Sequence, residues 1–264
     1  IRRVPNDFQT IQEAVDAANP GDIVLVSAGT YYEHVTVNKT ISLVGENPET
    51  TIIDCVGNGT RYVCVIEDNV KISGFTIQNG GGIFLDHSSG CIIYANIIAL
   101  NSYGGIRLNG SSRNLISNNQ ILDNGGWFPP VVVYGGIELT YSDSNIIDNN
   151  LISNNVGGIT LSSSNDNIVN NNAVTNNSPG VELFYSGGNI ISNNILALNS
   201  GGIGLKYSTE NTLRCNSVFK NEGGGISVWE SKLNVIKENI IAEDMIGINI
   251  AHRSPNNTFV GNTI

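Results

Sequence analysis

Arg107, Glu138 and Glu182 are the residues whose types and spacing best suit acid–base chemistry. Each stands two residues after the glycine of a Gly-apolar-x-apolar unit: Gly105-Ile106-Arg107-Leu108, Gly136-Ile137-Glu138-Leu139 and Gly180-Val181-Glu182-Leu183. If successive units stack about 4.8 Å apart, the two carboxylates, two units apart, are separated by about 9.6 Å. That is near the upper end of the roughly 6.5–9.5 Å between the acid and base of an inverting glycosidase. Arg107, one unit before Glu138, offers instead an exposed ion pair worth at most about 1 kcal/mol. Four and five residues after the glycines stand Asp86, His87, Tyr141, Phe184, Tyr185, Tyr207, Trp229 and His252, a side rich in aromatics. An insertion at 125–134, carrying Trp127, Phe128 and Tyr134, enters just before Gly136. Aromatic faces for stacking sugar rings, with acids and His87 reading hydroxyls, would make a carbohydrate groove. Cross-strand aromatic packing that stabilises the chain would use the same residues.

Such placement requires a repeat, and the glycines supply one. Gly82, Gly105, Gly136, Gly158, Gly180, Gly202, Gly225 and Gly247 open equivalent units, spaced 23, 31, 22, 22, 22, 23 and 22 residues apart. Serine stands six residues later at Ser88, Ser111, Ser142, Ser164, Ser186, Ser208 and Ser231. Asparagine stands at nine residues (Asn114, Asn145, Asn167, Asn189, Asn211, Asn234) and at fourteen (Asn96, Asn119, Asn150, Asn172, Asn194, Asn216, Asn239). Between them the apolar residues alternate with period two, the mark of short strands. Units of about 22 residues with three short strands and polar corners predict an all-β, right-handed, single-stranded parallel β-helix. Leucine-rich repeats are excluded, because they need L-x-x-L-x-L spacing and one strand per turn.

Composition agrees with that fold. Asparagine numbers 39 of 264 residues and only 14% are charged, which disfavours helical bundles and doubly wound α/β enzymes. A left-handed corner tolerates asparagine, and stacked asparagines can satisfy one another's amides. A net charge of −10 leaves no footprint for phosphate backbones, so nucleic acid is not an expected partner. No apolar run is long enough to span a bilayer as a helix. The start at Ile1 rather than Met matches a mature exported product, and the expected location is extracellular, cell surface or periplasmic.

The first segment breaks the pattern. Thr10-Ile11-Gln12-Glu13 is a capping box, and Ile11, Ala14, Val15 and Ala18 form one apolar helix face before Asn19-Pro20-Gly21. This amphipathic helix is expected to cap the solenoid, covering its core and strand edge. Strands are predicted at Ile23–Val26, Val35–Val37, Ile41–Val44, Thr51–Ile53, Val63–Ile66 and Val70–Ile77. The cap with the first turns occupies 1–60 and the repeats 61–264, in one continuous domain. No capping helix closes Asn262-Thr263-Ile264, where a further domain or a partner is expected.

The opening Thr10–Asp22, Gly29-Thr30-Tyr31-Tyr32-Glu33 and Ile41-Ser42-Leu43-Val44-Gly45 resemble the start of the pectin-lyase-like superfamily. Turns such as Asn189-Ile190-Ile191-Ser192-Asn193-Asn194-Ile195-Leu196 resemble the repeats of NosD-type periplasmic proteins and archaeal surface proteins. The resemblance covers the whole chain and implies the fold far more strongly than an activity. Gly29-x-Tyr31-x-Glu33 also occurs in pectin methylesterases, but their Gln-Asp-Thr, Asp-Phe-x-Phe-Gly and Leu-Gly-Arg-Pro-Trp segments are missing. The Asn-Thr-Asp, Asp-Asp, Gly-His-Gly and Arg-Ile-Lys motifs of polygalacturonases are missing too, as is the acidic calcium cluster of pectate lyases.

These features together point to a polysaccharide-binding or self-assembling surface protein, with a polysaccharide hydrolase or lyase as the alternative and a NosD-like accessory role as the third reading. No cofactor is evident, and calcium enters only if the chain is a lyase. One Met and three scattered His argue against copper handling. Cys55 and Cys64 flank a short loop where a disulfide or two separate thiols would fit, and no cysteine spacing marks a metal site. Finally, Ile92, Leu115, Ile146, Ile168 and Ile190 stand ten residues after their glycines, an outward apolar stripe that suits lateral self-association unless it reflects β-propensity alone.

Overall fold

The structure, a computed structural model, describes residues 1–56, 62–128, 132–133 and 135–264, with 127, 128, 132 and 133 as backbone only. The described residues form three parallel sheets wound around one core, of ten, twelve and ten strands. Each 22-residue unit contributes one strand to each. Ile159–Ser162, Ile168–Asn170 and Ala173–Thr175 make one such turn, pairing in register with Val181–Phe184, Ile190–Ser192 and Ile195–Ala197 of the next. In that order they belong to the first, second and third sheets.

Alternation within the short strands builds the core. In the first sheet Ile159 and Leu161 point inward, as do Val181 and Leu183 one turn on, while Thr160 and Glu182 point outward. The repeat glycine is needed for backbone approach: a Cβ on Gly158 would overlap the carbonyl of Gly180 in the next turn.

The corners are held by side-chain ladders. Asn194 donates its backbone N–H and Nδ2 to Asn216 Oδ1, both at 3.0 Å, and Nδ2 again to the Val169 carbonyl at 2.9 Å. Its own Oδ1 accepts the same pair of bonds from Asn172. A third asparagine column, beyond the two that the spacing predicts, runs through Asn101, Asn124, Asn155, Asn177, Asn199 and Asn221, nineteen residues after each glycine, and passes to Asp244. The serine column is bonded likewise, Ser164 N–H to Ser186 Oγ at 3.0 Å. These bonds let polar corners sit inside the solenoid without orphaned amides.

The predicted helix forms over Ile11–Ala17 with its capping box, and Ile11, Ala14 and Val15 are buried on the core. Two further residues clamp it. Glu33 accepts the N–H groups of Ile11 and Gln12, both at 2.9 Å, and Lys39 Nζ donates to the carbonyls of Val15, Asp16 and Ala18. The carboxylate neutralises the helix's positive end and the ammonium its negative end. Glu33 of the Gly29-x-Tyr31-x-Glu33 motif is therefore part of the cap.

Two expectations need correction. Val70–Ile77 is not one strand but two, Lys71–Ser73 and Thr76–Gln78. Gly74 turns the corner between them at φ +80°, in contact with the Gly45 backbone where no side chain would fit. The Cys55–Cys64 bridge is not formed, and Cys64 is a free thiol. Alternation in Val63-Cys64-Val65 turns Cys64 outward, where it stacks in register with Phe84 and Thr36, whereas Cys55 is buried.

Candidate functional site

The outer face of the first sheet carries a row of unlike residues, Phe84, Arg107, Glu138, Thr160, Glu182, Gly204 and Ser227, in register across seven turns. Three depressions lie end to end along it. One of ≈ 270 Å³ is lined by Phe84, Arg107, Asn109, Glu138 and Thr140. The next, ≈ 360 Å³, shares Glu138 and reaches Thr160, Pro179, Glu182 and Phe184. A third, ≈ 250 Å³, shares Glu182 and Pro179 and adds Ser200, Gly204, Lys206 and Ser227. Together they form a groove along the solenoid axis, floored by the sheet.

Each carboxylate in the groove has its own cation. Arg107 Nε lies 3.5 Å from Glu138 Oε2, with only 21% and 17% of the two side chains exposed. The ion pair anticipated as exposed is thus largely buried. The guanidinium also donates from Nη1 to the Tyr62 hydroxyl at 3.0 Å and covers the Phe84 ring, 5.3 Å from its centroid. Glu138 Oε1 accepts the Gly135 N–H at 2.9 Å. Burial pushes the Glu138 carboxyl above the ordinary range, opposed by the Gly135 bond and by Arg107. Two turns on, Glu182 Oε1 meets Lys206 Nζ at 2.7 Å, and that ammonium sits 4.8 Å from the Phe184 ring centroid. Lys206 is not among the residues that spacing singles out. It stands four residues after Gly202, so its contact with Glu182 crosses diagonally between turns, and a comparison made within one column misses it.

One edge of the groove is the corner after the first sheet, five residues beyond each glycine. His87, Tyr141, Tyr185 and Tyr207 occupy it with φ of 52°, 49°, 49° and 52°. Tyr141 is 68% exposed and Tyr185 62%. Tyr185 and Tyr207 stack with centroids 4.8 Å apart and planes 6° apart. Trp229 packs instead against His252, centroids 3.7 Å apart. His87 Nδ1 is 2.8 Å from Asp86 Oδ1, which also accepts from Asn109 Nδ2. Among the described residues the aromatic side thus divides into a stacked pair, a Trp–His pair, Phe184 under Lys206, and Tyr141.

The opposite edge is where the insertion enters, its backbone pairing antiparallel between Trp127–Phe128 and Val132–Val133. The Trp127 and Phe128 side chains and all of Tyr134 lie outside the described residues. The apolar stripe Ile92, Leu115, Ile146, Ile168, Ile190 stacks in register on the second sheet, away from the groove.

Among known proteins, a family model described as "Periplasmic copper-binding protein (NosD)" matches residues 15–133 and 130–264. A cell surface glycoprotein of Methanothermus fervidus is 32% identical over 153 residues, covering 45% of this chain and 26% of that protein. The chain therefore spans well under two thirds of that relative's length. Among solved structures, ORF18 of Geobacillus virus E2 superposes with a TM-score of 0.76 at 16% identity, over 96% of this chain and 57% of that one. The A-module of the mannuronan C-5 epimerase AlgE6 of Azotobacter vinelandii does so at 0.61 and 15%, over 96% and 93%. At such identities these two likenesses are of fold.

Proposed function

The chain belongs to the NosD family of parallel β-helix proteins, and from that premise we propose that it binds polysaccharide in the groove of the first sheet, at a cell surface or in a periplasm. The observation that carries this reading is the groove itself. Its three depressions adjoin at Glu138 and Glu182, offer paired charges and hydroxyls along their floor, and lie beside the corner that carries the exposed tyrosines, a layout that suits a linear sugar chain. Tyrosine is a costly choice at a left-handed corner, where glycine or asparagine is easier, by about 1–3 kcal/mol for a non-glycine residue. Its presence at Tyr141, Tyr185 and Tyr207 favours a role beyond closing the turn. The periplasmic description of the family and the cell-surface relative support the location. Among the described residues no helix is long and apolar enough to cross a membrane.

The family description names copper, so the donor set matters. Among the described residues no three His, Cys, Asp or Glu side chains converge as a metal site. His87 and His252 share a corner column seven turns apart, about 34 Å. Copper sites need clustered imidazole or thiolate donors, so these residues do not fit that ion and no copper chemistry is assigned.

A second reading is a glycoside hydrolase with Glu138 as acid and Glu182 as base. The raised proton affinity of Glu138 favours it. Against it, Lys206 holds Glu182 in an ion pair where a base would have to face water. A panel of neutral and uronic-acid polysaccharides, examined by affinity electrophoresis and for release of reducing or unsaturated ends, separates the two. Retention that is lost in Tyr185→Ala and Tyr207→Ala, with no ends released, supports binding. Release abolished by Glu138→Gln and Glu182→Gln supports the hydrolase, and retention unchanged by the tyrosine substitutions rules the groove out.

A further inference from the structure

We propose that the outer face of the second sheet is the interface of an antiparallel dimer, in which two copies of this chain pack side by side with their solenoid axes reversed. The proposal is independent of the glycan reading, because it uses another face.

Two rows run along that face. The first runs from Ile92 to Thr258 and is apolar except at Thr212 and Thr258, with Ile92, Ile146 and Ile168 37%, 40% and 36% exposed. The second, two residues further along each strand, is polar and unevenly charged between Tyr94 and Val260 at its ends: Asp148 stands in one half, Arg214 and Lys237 in the other. Among the described residues none of these three forms an ion pair within the chain. The five apolar residues from Ile92 to Ile190 stack in register and make one contiguous apolar stripe on this face.

The arrangement of the two rows selects the symmetry. A two-fold axis along the solenoid midway between the rows would lay each apolar row on the other copy's polar row, placing Ile146 against Asp148. One centred on the apolar row would leave the polar rows on opposite sides, so that Asp148 could not meet Arg214. A two-fold axis along the strands reverses the order of turns while each row still faces its counterpart. Centred between the turns of Ile168 and Ile190, it sets Ile168 on Ile190 and Leu115 on Val235 of the second copy. In the polar row the same operation brings Asp148 opposite Arg214, twice by symmetry, and Ser117 opposite Lys237. No like charges meet along either row. This centring overlaps the eight turns from Ile92 to Thr258, and a shift by half a turn toward the N-terminus would set Lys71 opposite Thr258 and Asp148 opposite Ser192, losing the Asp148–Arg214 pairs.

The area suffices. Eight turns at about 4.8 Å give a face about 35 Å long, and a three-residue strand with its corners is about 20 Å wide. The resulting ~700 Å² per copy approaches the ~800 Å² per partner of a standard stable interface. The Asp148–Arg214 pairs, with the planar fork of arginine on a carboxylate, would fix the register.

Light scattering and sedimentation velocity at physiological ionic strength test this on the whole chain. The expected species is a dimer of the 28.1 kDa chain, dissociating on dilution. Arg214 is exposed, so Arg214→Asp should fold normally while setting Asp against Asp148 and weakening the dimer by about tenfold or more. Asp148→Arg should weaken it similarly, and the double reversal Asp148→Arg/Arg214→Asp should restore it. A concentration-independent monomer overturns the proposal. So does a dimer indifferent to Arg214→Asp, or one in which Asp148→Arg is rescued by Lys237→Asp and not by Arg214→Asp.

Discussion

The asparagine columns inside the solenoid and the outward row of the first sheet arise from the same repeat, at the same spacing, yet one is nearly uniform and the other changes residue type at every step. Asn172, Asn194 and Asn216 are interchangeable rungs because each must accept two bonds from one neighbour and donate two to the other. Arg107, Glu138, Thr160, Glu182 and Gly204 occupy a row whose backbone is already satisfied by the sheet and whose side chains meet water or one another. Interior geometry permits one answer and the surface permits many. Uniform columns therefore belong to the fold, and the varied row on the groove is where the repeat leaves the chain free to carry other chemistry.

The sharpest way to break this contrast is Asn194→Leu. It leaves the Asn172 backbone N–H without its partner in a dry interior, and takes one bond each from Asn172 Nδ2, which keeps the Ile147 and Asn170 carbonyls, and from the Val169 carbonyl. At about 1–3 kcal/mol for the orphaned N–H and about 0.5–1.5 kcal/mol for each of the two further bonds lost, the loss is about 2–6 kcal/mol in urea unfolding. A loss under about 1 kcal/mol would mean the columns are decorative.

Glu138→Gln probes the boundary between the two kinds of position, since Glu138 is outward yet largely buried. Its raised carboxyl means that the folded chain holds the proton more tightly than the unfolded one. The Glu138 contribution to stability is therefore greatest in acid and declines as pH climbs from the ordinary glutamate range through the raised folded value, then levels off. The difference in Tm between wild type and Glu138→Gln, measured across pH, should show that decline, and a flat difference would contradict it.

Tyr185→Gly separates stacking from function at the corner. Glycine relieves the left-handed backbone at φ 49° but removes the Tyr185–Tyr207 stack. Strain relief of about 1–3 kcal/mol and the stacking loss of about 0.5–1.5 kcal/mol oppose each other. Stability should hold or rise by about 1 kcal/mol, while polysaccharide retention falls. If the protein is destabilised by more than that, the tyrosines serve packing first.

Much of this was legible in the sequence. The glycine spacing gave the turn, the alternation gave the core, and two asparagine columns were visible directly, as was the groove row once the register was known. The third column, beginning at Asn101, carried an equal signal at nineteen residues after each glycine. What sequence spacing conceals is any contact that leaves its column. Glu33 reaching back twenty-two residues to Ile11 depends on a loop path, and Lys206 meeting Glu182 depends on a diagonal between turns. The buried state of the Arg107–Glu138 pair depends on Tyr62 and Phe84, which come from two other turns.

Lys206→Met is the smallest of these tests and the most specific. The 2.7 Å Lys206–Glu182 bond is short, but 42% of the Lys206 side chain is exposed. Water screens such a pair, so its removal should cost at most about 1 kcal/mol. Methionine retains the aliphatic stem against Phe184 and removes only the charge. Glu182 is then left in the groove with no cation on it, beside Thr160 and Phe184. In a binding groove this lowers affinity for glycans that Lys206 touches and creates no activity. In a hydrolase it frees the proposed base, and end release should rise. A single substitution with almost no cost to the fold therefore moves the two readings in opposite directions, because Lys206 acts on the varied row only through Glu182.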